Sequence, residues 1–180
     1  MRFSRCASLM LCLSLLLPMI ACGTGYGMDL RLFIERFNDS ARGRAHLDLA
    51  HFTVEENDAG SLQYQAFVGK SELLSVYVLP NSGRVHTVAL TGLPDMSHRD
   101  FYAAALQLLA AFADVVDDRA ERLLQELQVG TLPVLGVQWL ERYGYRVSYA
   151  ANEAGRYFRL SCLRHLPEQP PLPTLRERIE

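Results

Sequence analysis

The stretch that decides the fold is Glu72–Leu90, with the sequence ELLSVYVLPNSGRVHTVAL. Apolar residues alternate with polar or amphipathic ones along Glu72–Leu79, which predicts a strand with one apolar face. Pro80-Asn81-Ser82-Gly83 is a strong turn signal, and Arg84–Leu90 supplies the returning strand. A link this short joins antiparallel neighbours, so the stretch predicts a hairpin within an antiparallel sheet.

Two further strands are predicted before this hairpin. Leu62–Val68 alternates in the same way, with Leu62 and Tyr64 on one face and Gln63 on the other. Arg44–Val54 is the expected first strand, followed by a turn through residues 55–60. Successive strands with short links form a meander, and one apolar face indicates a sheet covered on one side.

Helical periodicity lies on both sides of the meander. Met28–Asn38 places its apolar residues on one helical face, and Asp29 can cap its start. A longer helix is expected to begin at Ser97, where Asp100 completes a start that resembles a capping box. A third helical run extends from about Asp118 to Gln128 and has a leucine side.

The C-terminal part contains one ambiguous segment and one clear hairpin. Leu132–Arg142 fits a helix that starts near Pro133 or an extended run, and Trp139 within it is expected to lie in the core or at its edge. Tyr145–Tyr149 and Phe158–Cys162 alternate as two strands around a turn, Asn152–Gly155. Separate groups of strands and helices predict an α+β fold. We expect an antiparallel sheet, made of a meander and a C-terminal hairpin, packed against two or three helices.

The first residues are typical of a secretory signal. Arg2 and Arg5 precede an uncharged apolar run, Ala7–Leu17, and small residues follow it. The run is too short to span a bilayer, which needs about 20 residues. We therefore expect a signal peptide over residues 1–21.

The segment Met19-Ile20-Ala21-Cys22 resembles the lipobox of bacterial lipoproteins, with Met19 standing where leucine is commonest. The resemblance implies that the chain is cut before Cys22 and that its thiol is acylated. Residues 22–27 would then be a glycine-rich tether, residues 28–166 a single globular domain, and residues 167–180 a proline-rich tail. The same residues would also fit an ordinary cleavage site, with the cut before Thr24.

The resemblance also implies a location. Several acyl chains hold a protein stably on a bilayer, so the membrane partner would be reached through lipidated Cys22. The domain would face the periplasm of the cell envelope, with the outer membrane favoured.

Charge and cysteine content exclude several classes of function. The chain has 18 basic and 20 acidic side chains, and Arg2 and Arg5 would leave with the signal. Mild acidity argues against nucleic-acid binding, which needs a basic footprint. Cys162 would be the one remaining thiol, which excludes an internal disulfide and a zinc site of the paired-cysteine kind. Cys162 alternates with Phe158 and Leu160, so it is expected to point inward as a small apolar residue.

No catalytic or cofactor motif is present, and no cofactor or metal is expected. His46 and His51 would point to opposite faces of one strand, whereas His51 and His86 could meet across strands. Asp114, Asp117, Asp118 and Glu121 lack the loop geometry of a calcium site, so they are expected to cap a helix and keep one face solvated.

Arginines in the C-terminal hairpin form a candidate interaction surface. Arg146 and Arg159 fall on the outward side of their strands, and three others at strand ends or the turn could extend the patch. These three are Arg142, Arg156 and Arg164. Arginine forms forked hydrogen bonds to carboxylates and phosphates, so the targets considered are an acidic partner, anionic lipid or a wall polymer. The alternative is a solvated strand face without function.

Three hypotheses for function follow. The first is a lipid-anchored envelope protein without catalytic activity, which binds another envelope protein or stabilises an assembly. The second is an inhibitor or immunity-type protein that neutralises a toxin or an envelope enzyme. The third is a hydrolase that uses a histidine pair.

The anchor is tested by Cys22→Ser. We expect the variant to lose labelling by a fatty-acid probe, and either to release the mature domain or to accumulate as an uncleaved precursor. A wild-type mature protein that is soluble and starts at Thr24 would show that the lipobox interpretation is wrong.

Overall fold

The computed structural model describes residues 27–40, 46–56, 61–130 and 137–165. The expected signal peptide, Cys22, most of the expected tether and the expected tail lie outside these residues. The helices are α1 (Leu30–Asp39), α2 (His98–Leu108) and α3 (Asp117–Glu126), and α2 continues into a π-helical turn, Leu109–Ala113. None of the described helices is both long enough and apolar enough to cross a membrane.

Within the described ranges, eight strands form one antiparallel sheet, which confirms the predicted α+β fold. They are β1 (Met28–Asp29), β2 (Thr53–Glu56), β3 (Leu62–Phe67), β4 (Glu72–Leu79), β5 (Arg84–Gly92), β6 (Val137–Arg142), β7 (Tyr145–Asn152) and β8 (Gly155–Cys162). Seven run in the order β2-β3-β4-β5-β8-β7-β6, and β1 pairs with the start of β5. The ladder between β5 and β8 therefore joins an N-terminal meander to a C-terminal one.

The helices cover one face of this sheet, as the alternating pattern predicts. Leu74 of β4 pairs with Leu90 of β5, which pairs with Phe158 of β8, and all three are buried. Aromatic contacts fix the helices on this face: Phe101 lies 6.1 Å from Tyr149, measured between ring centroids. We call this side the helix layer and the opposite side of the sheet the open face.

The predicted helix caps are confirmed. The Asp29 carboxylate accepts a hydrogen bond from the Arg31 backbone N–H at 2.8 Å, at the start of α1. Ser97 accepts from the Asp100 backbone N–H at 3.1 Å and donates its hydroxyl hydrogen to the Asp100 carboxylate at 2.6 Å. Such bonds satisfy backbone donors that a helix leaves free in its first turn.

The prediction of a strand over Arg44–Val54 is wrong for most of that segment. Asp48 caps a 3₁₀ turn, Leu49–His51, and only Thr53 and Val54 of the expected strand belong to β2. The Asn38 side chain bonds both the N–H and the C=O of Leu47, at 2.7 and 2.9 Å. These side-chain bonds take the place of a strand ladder, while residues 44 and 45 lie outside the described residues.

The ambiguous segment resolves into a strand where it is described. Val137–Arg142 is β6, and it reaches β7 through the turn Tyr143-Gly144. Both turn residues have positive φ, at 56° and 83°, as a tight hairpin requires. The C-terminal hairpin of β7 and β8 is confirmed, with Asn152 opposite Gly155.

Gly92 sets how closely α2 approaches the sheet. A Cβ atom at this position would lie 2.6 Å from Cδ2 of Phe101 and 2.9 Å from Sδ of Met96. Neither neighbour can withdraw easily, because Phe101 and Met96 are themselves buried. Only glycine allows the Phe101 ring to lie directly on β5.

Gly92→Ala therefore tests the packing of α2 on the sheet. Alanine in a strand normally gains stability over glycine through a smaller loss of backbone entropy. The clash should outweigh this gain and lower the free energy of unfolding by about 1–3 kcal/mol, measured by urea denaturation. Phe101→Leu in the same chain should recover part of the loss, whereas an unchanged Gly92→Ala protein would contradict the close approach.

Candidate functional site

The open face carries a polar and aromatic cluster at its centre. Its members are Tyr77 of β4, His86 and Thr87 of β5, and Tyr157, Arg159 and Ser161 of β8. Thr87 pairs with both Tyr77 and Ser161, so the three strands bring these side chains side by side. None of the described helices lies on this face.

Arg159 spans the cluster. Its guanidinium carbon lies 5.8 Å from the centroid of the Tyr77 ring, although β5 runs between their two strands. Ala89 of β5 pairs directly with Arg159 and is buried, so its small side chain leaves room for the arginine to pass above it. Within the described part of the chain, the guanidinium has no carboxylate within ion-pair distance.

A line of hydrogen bonds lies beneath this arginine. Arg159 Nε donates to Ser161 Oγ at 3.2 Å, and Thr87 Oγ1 donates to the same oxygen at 3.1 Å. Thr87 and Ser161 are only 1% and 3% exposed. The two hydroxyls therefore position the arginine and are too deeply buried to attack a substrate.

His86 joins the cluster through an irregularity in the ladder. Tyr77 pairs with Thr87 but Val78 pairs with Val85, which leaves His86 as an extra residue on β5. Its Nδ1 lies 3.1 Å from Thr87 Oγ1, and its ring lies 6.4 Å from the Tyr77 ring. Because the Thr87 hydroxyl donates to Ser161, we assign the imidazole hydrogen to Nδ1, which donates to Thr87.

Tyr157 is a neutral phenol in this setting. Burial raises the pKa of Tyr157, the nearby Arg159 charge lowers it, and Tyr77 raises it further. The polar Arg159 side chain beside the Tyr157 hydroxyl again lowers the pKa. The cluster thus combines one guanidinium with two phenol rings.

A second cationic group lies on the same face, nearer the β6 edge. Arg146 of β7 bonds Glu141 Oε1 of β6 through Nε at 3.0 Å and Nη2 at 2.7 Å. Its guanidinium carbon lies 5.3 Å from the Trp139 ring centroid. The expectation that Trp139 lies in the core or at its edge is wrong: it is 54% exposed, because it alternates with Gln138 and Leu140 on the edge strand.

The proposed patch of five arginines is not formed. Arg146 and Arg159 share the open face. The prediction that Arg156 belongs to the same surface is wrong, because Arg156 is only 9% exposed. It lies opposite Gly92 on the helix-layer side and donates to the Met96 carbonyl at 2.7 Å. Arg142 lies 3.8 Å from Glu126 of α3, and Arg164 is exposed in the 3₁₀ turn Leu163–His165.

The histidine pair considered for hydrolysis is not formed either. His51 lies in the exposed 3₁₀ turn before β2, and β3 and β4 separate that edge from His86. His46 and His98 are exposed, and the side chain of His165 lies outside the described residues. Among the side chains that the structure describes, no group of three possible ligands could hold a metal ion.

Cys162 is buried and free, which confirms the predicted inward orientation. Burial raises the pKa of its thiol to about 11. The group is therefore a protonated thiol at neutral pH and a poor nucleophile.

The described acidic residues of this run lie at the start of α3 and beside a groove. The expectation that these acidic residues cap a helix is wrong, because the cap residue of α3 is Val116 and has no side-chain bond. Asp117 and Asp118 instead lie in the first turn of α3. Asp117 and Glu121 also border a groove in the helix layer.

The open face can hold a carboxylate or another oxyanion. Two guanidinium groups and several aromatic rings share a surface, and such groups recognise planar anions through forked hydrogen bonds. No family model, curated protein or solved structure matches this chain.

The two arginines should contribute differently to stability. Arg159→Met keeps the alkyl stem but removes the charged donor to Ser161, so it should lower the free energy of unfolding by about 1.5–3 kcal/mol. Arg146→Met removes a half-exposed ion pair and should cost less than about 1 kcal/mol. Urea denaturation of both variants measures the two changes in the free energy of unfolding. Equal changes would contradict the conclusion that Arg159 holds the cluster together.

Proposed function

We propose that this chain is a lipid-anchored cell-envelope protein without catalytic activity, and that it binds an acidic segment of a partner protein through the open face. The observation that carries the proposal is the Arg159 guanidinium, which has no carboxylate counter-ion among the described residues. A partner carboxylate would supply that counter-ion.

The surroundings of Arg159 favour binding over a purely structural role. Tyr77 and Tyr157 flank the guanidinium and exclude part of the solvent around it. An ion pair is stronger where solvent is excluded. Arg146 is a diagonal neighbour across the β7–β8 ladder, because Arg146 pairs with Ser161 and Arg159 pairs with Ser148. Diagonal neighbours lie about 7–8 Å apart, so two carboxylates of one extended segment could reach both groups.

Three candidate nucleophiles among the described residues are inaccessible, which supports a binding role. The hydroxyls of Thr87 and Ser161 and the thiol of Cys162 are all buried in the described structure. His86 Nδ1 lies 3.1 Å from the buried Thr87 hydroxyl. The cluster therefore offers a charged surface whose serine and threonine hydroxyls are inaccessible to a substrate.

The proposed anchor would hold this face close to a bilayer. The segment from Cys22 to Gly27 can span at most about 20 Å when fully extended. Since β1 begins at Met28, the domain would stay within that distance of the lipid. The partner is thus expected at the membrane surface.

Binding is tested with a labelled decapeptide of glutamate. We expect the wild-type protein to bind it in low salt and Arg146→Met to weaken the interaction by about fivefold to tenfold, as loss of one charged contact predicts. Arg142→Met is the matched control, because Arg142 is exposed on the neighbouring strand but lies beside Glu126.

The outcomes are distinct. Equal losses in the two variants would indicate attraction by overall charge and contradict a site on the open face. Undetectable binding to the wild-type protein would also contradict the proposal. Circular dichroism and melting temperature confirm that each variant is folded.

A further inference from the structure

A groove of about 460 Å³ lies in the helix layer, on the side of the molecule opposite the open face. It runs between the end of α1, the outer side of α2 and the start of α3. Ala103, Ala110 and Ala120 line it, and their small side chains make the surface concave. Leu106 and Val116 add apolar surface, so the floor suits an aliphatic chain.

The rim of the groove is acidic. Asp39, Asp117 and Glu121 line it, and no basic side chain is found among its described lining residues. In the part of the chain that the structure describes, these three carboxylates take part in no ion pair. Asp117 and Glu121 are one turn apart on α3, where like charges repel each other.

The position of Asp39 sharpens this imbalance. A carboxylate at the N-terminal end of a helix is favoured by the helix dipole, which accounts for Asp117. Asp39 is the last residue of α1, where the dipole opposes a negative charge. A bound cation would relieve both unfavourable arrangements.

Gln107 provides an independent indication of a ligand. Its side chain lines the groove and is only 5% exposed, and its Nε2 donates to the Phe37 carbonyl at 2.9 Å. Its Oε1 is buried and has no donor among the described residues. Buried acceptors are normally satisfied, so this oxygen is suited to accept an N–H from a ligand.

We infer that this groove binds a linear aliphatic oligoamine. Its ammonium groups pair with Asp39, Asp117 and Glu121, and one of them donates to Gln107 Oε1. The methylene groups lie on the alanines and on Leu106. Three carboxylates match the three positive charges of a molecule such as spermidine, and this site is separate from the face proposed to bind a partner protein.

The experiment is a calorimetric titration of the folded protein with spermidine. We expect one site per chain, and Asp117→Asn with Glu121→Gln should weaken binding at least about tenfold, because two charged contacts are lost. The control pair Glu55→Gln with Glu153→Gln removes the same charge from β2 and from the β7–β8 turn. It should leave the affinity unchanged.

Shape is tested separately from charge. Ala103→Leu should fill the groove and abolish binding without changing any charge, and Ala110→Leu replaces it if that variant does not fold. Cobalt hexaammine carries three positive charges without an alkyl chain, so it should bind at least about tenfold more weakly than spermidine.

Three results would overturn the inference. These are equal binding of spermidine and cobalt hexaammine, unchanged binding by the folded groove-filling variant, and no measurable binding of spermidine to the wild-type protein. A basic peptide that binds the groove while spermidine does not would assign the site to a protein partner instead.

Discussion

The close approach of α2 to β5 at Gly92 is the constraint on which the rest of the structure depends. Because Gly92 has no side chain, the Phe101 ring packs directly on β5. This contact sets the distance between α2 and the sheet, and the other large rings of the core pack at that distance. Phe112 then lies 5.3 Å from the Tyr145 ring and 6.1 Å from the Phe33 ring of α1, measured between centroids. The position of α3 and the groove beside α2 depend on the same contact.

The central strand β5 has a small residue at each of two positions where a large side chain packs against it, one on each face of the sheet. Gly92 admits an aromatic ring on the helix-layer side, and Ala89 leaves space for Arg159 on the open face. The two surfaces also differ in charge. Guanidinium groups and phenols gather on the sheet, whereas the described carboxylates of the groove gather on the helices.

Local patterns in the sequence predict the elements and their apolar faces, because strand alternation and helix caps depend on neighbours a few residues apart. The caps at Asp29 and Ser97 and the strands on either side of Pro80 illustrate this. Arg159 and Tyr77 meet only because β4, β5 and β8 are adjacent in a given register, which no local pattern encodes. The prediction for Arg156 is wrong for a different reason. Arg156 alternates in phase with Phe158 and therefore points inward, but the prediction assigns it to the turn and not to the strand.

The ladder between β5 and β8 also determines when the protein can fold. Thr87 and Ser161 are 74 positions apart, so this ladder closes a long loop, whereas the hairpins β4–β5 and β7–β8 close short ones. We expect the two meanders to form early and their docking to limit the folding rate, as is usual for contacts distant in sequence. A chain synthesised from its N-terminus keeps one edge of β5 unpaired until β8 has been made. During that interval, the edge is open to chaperones and to pairing with other chains.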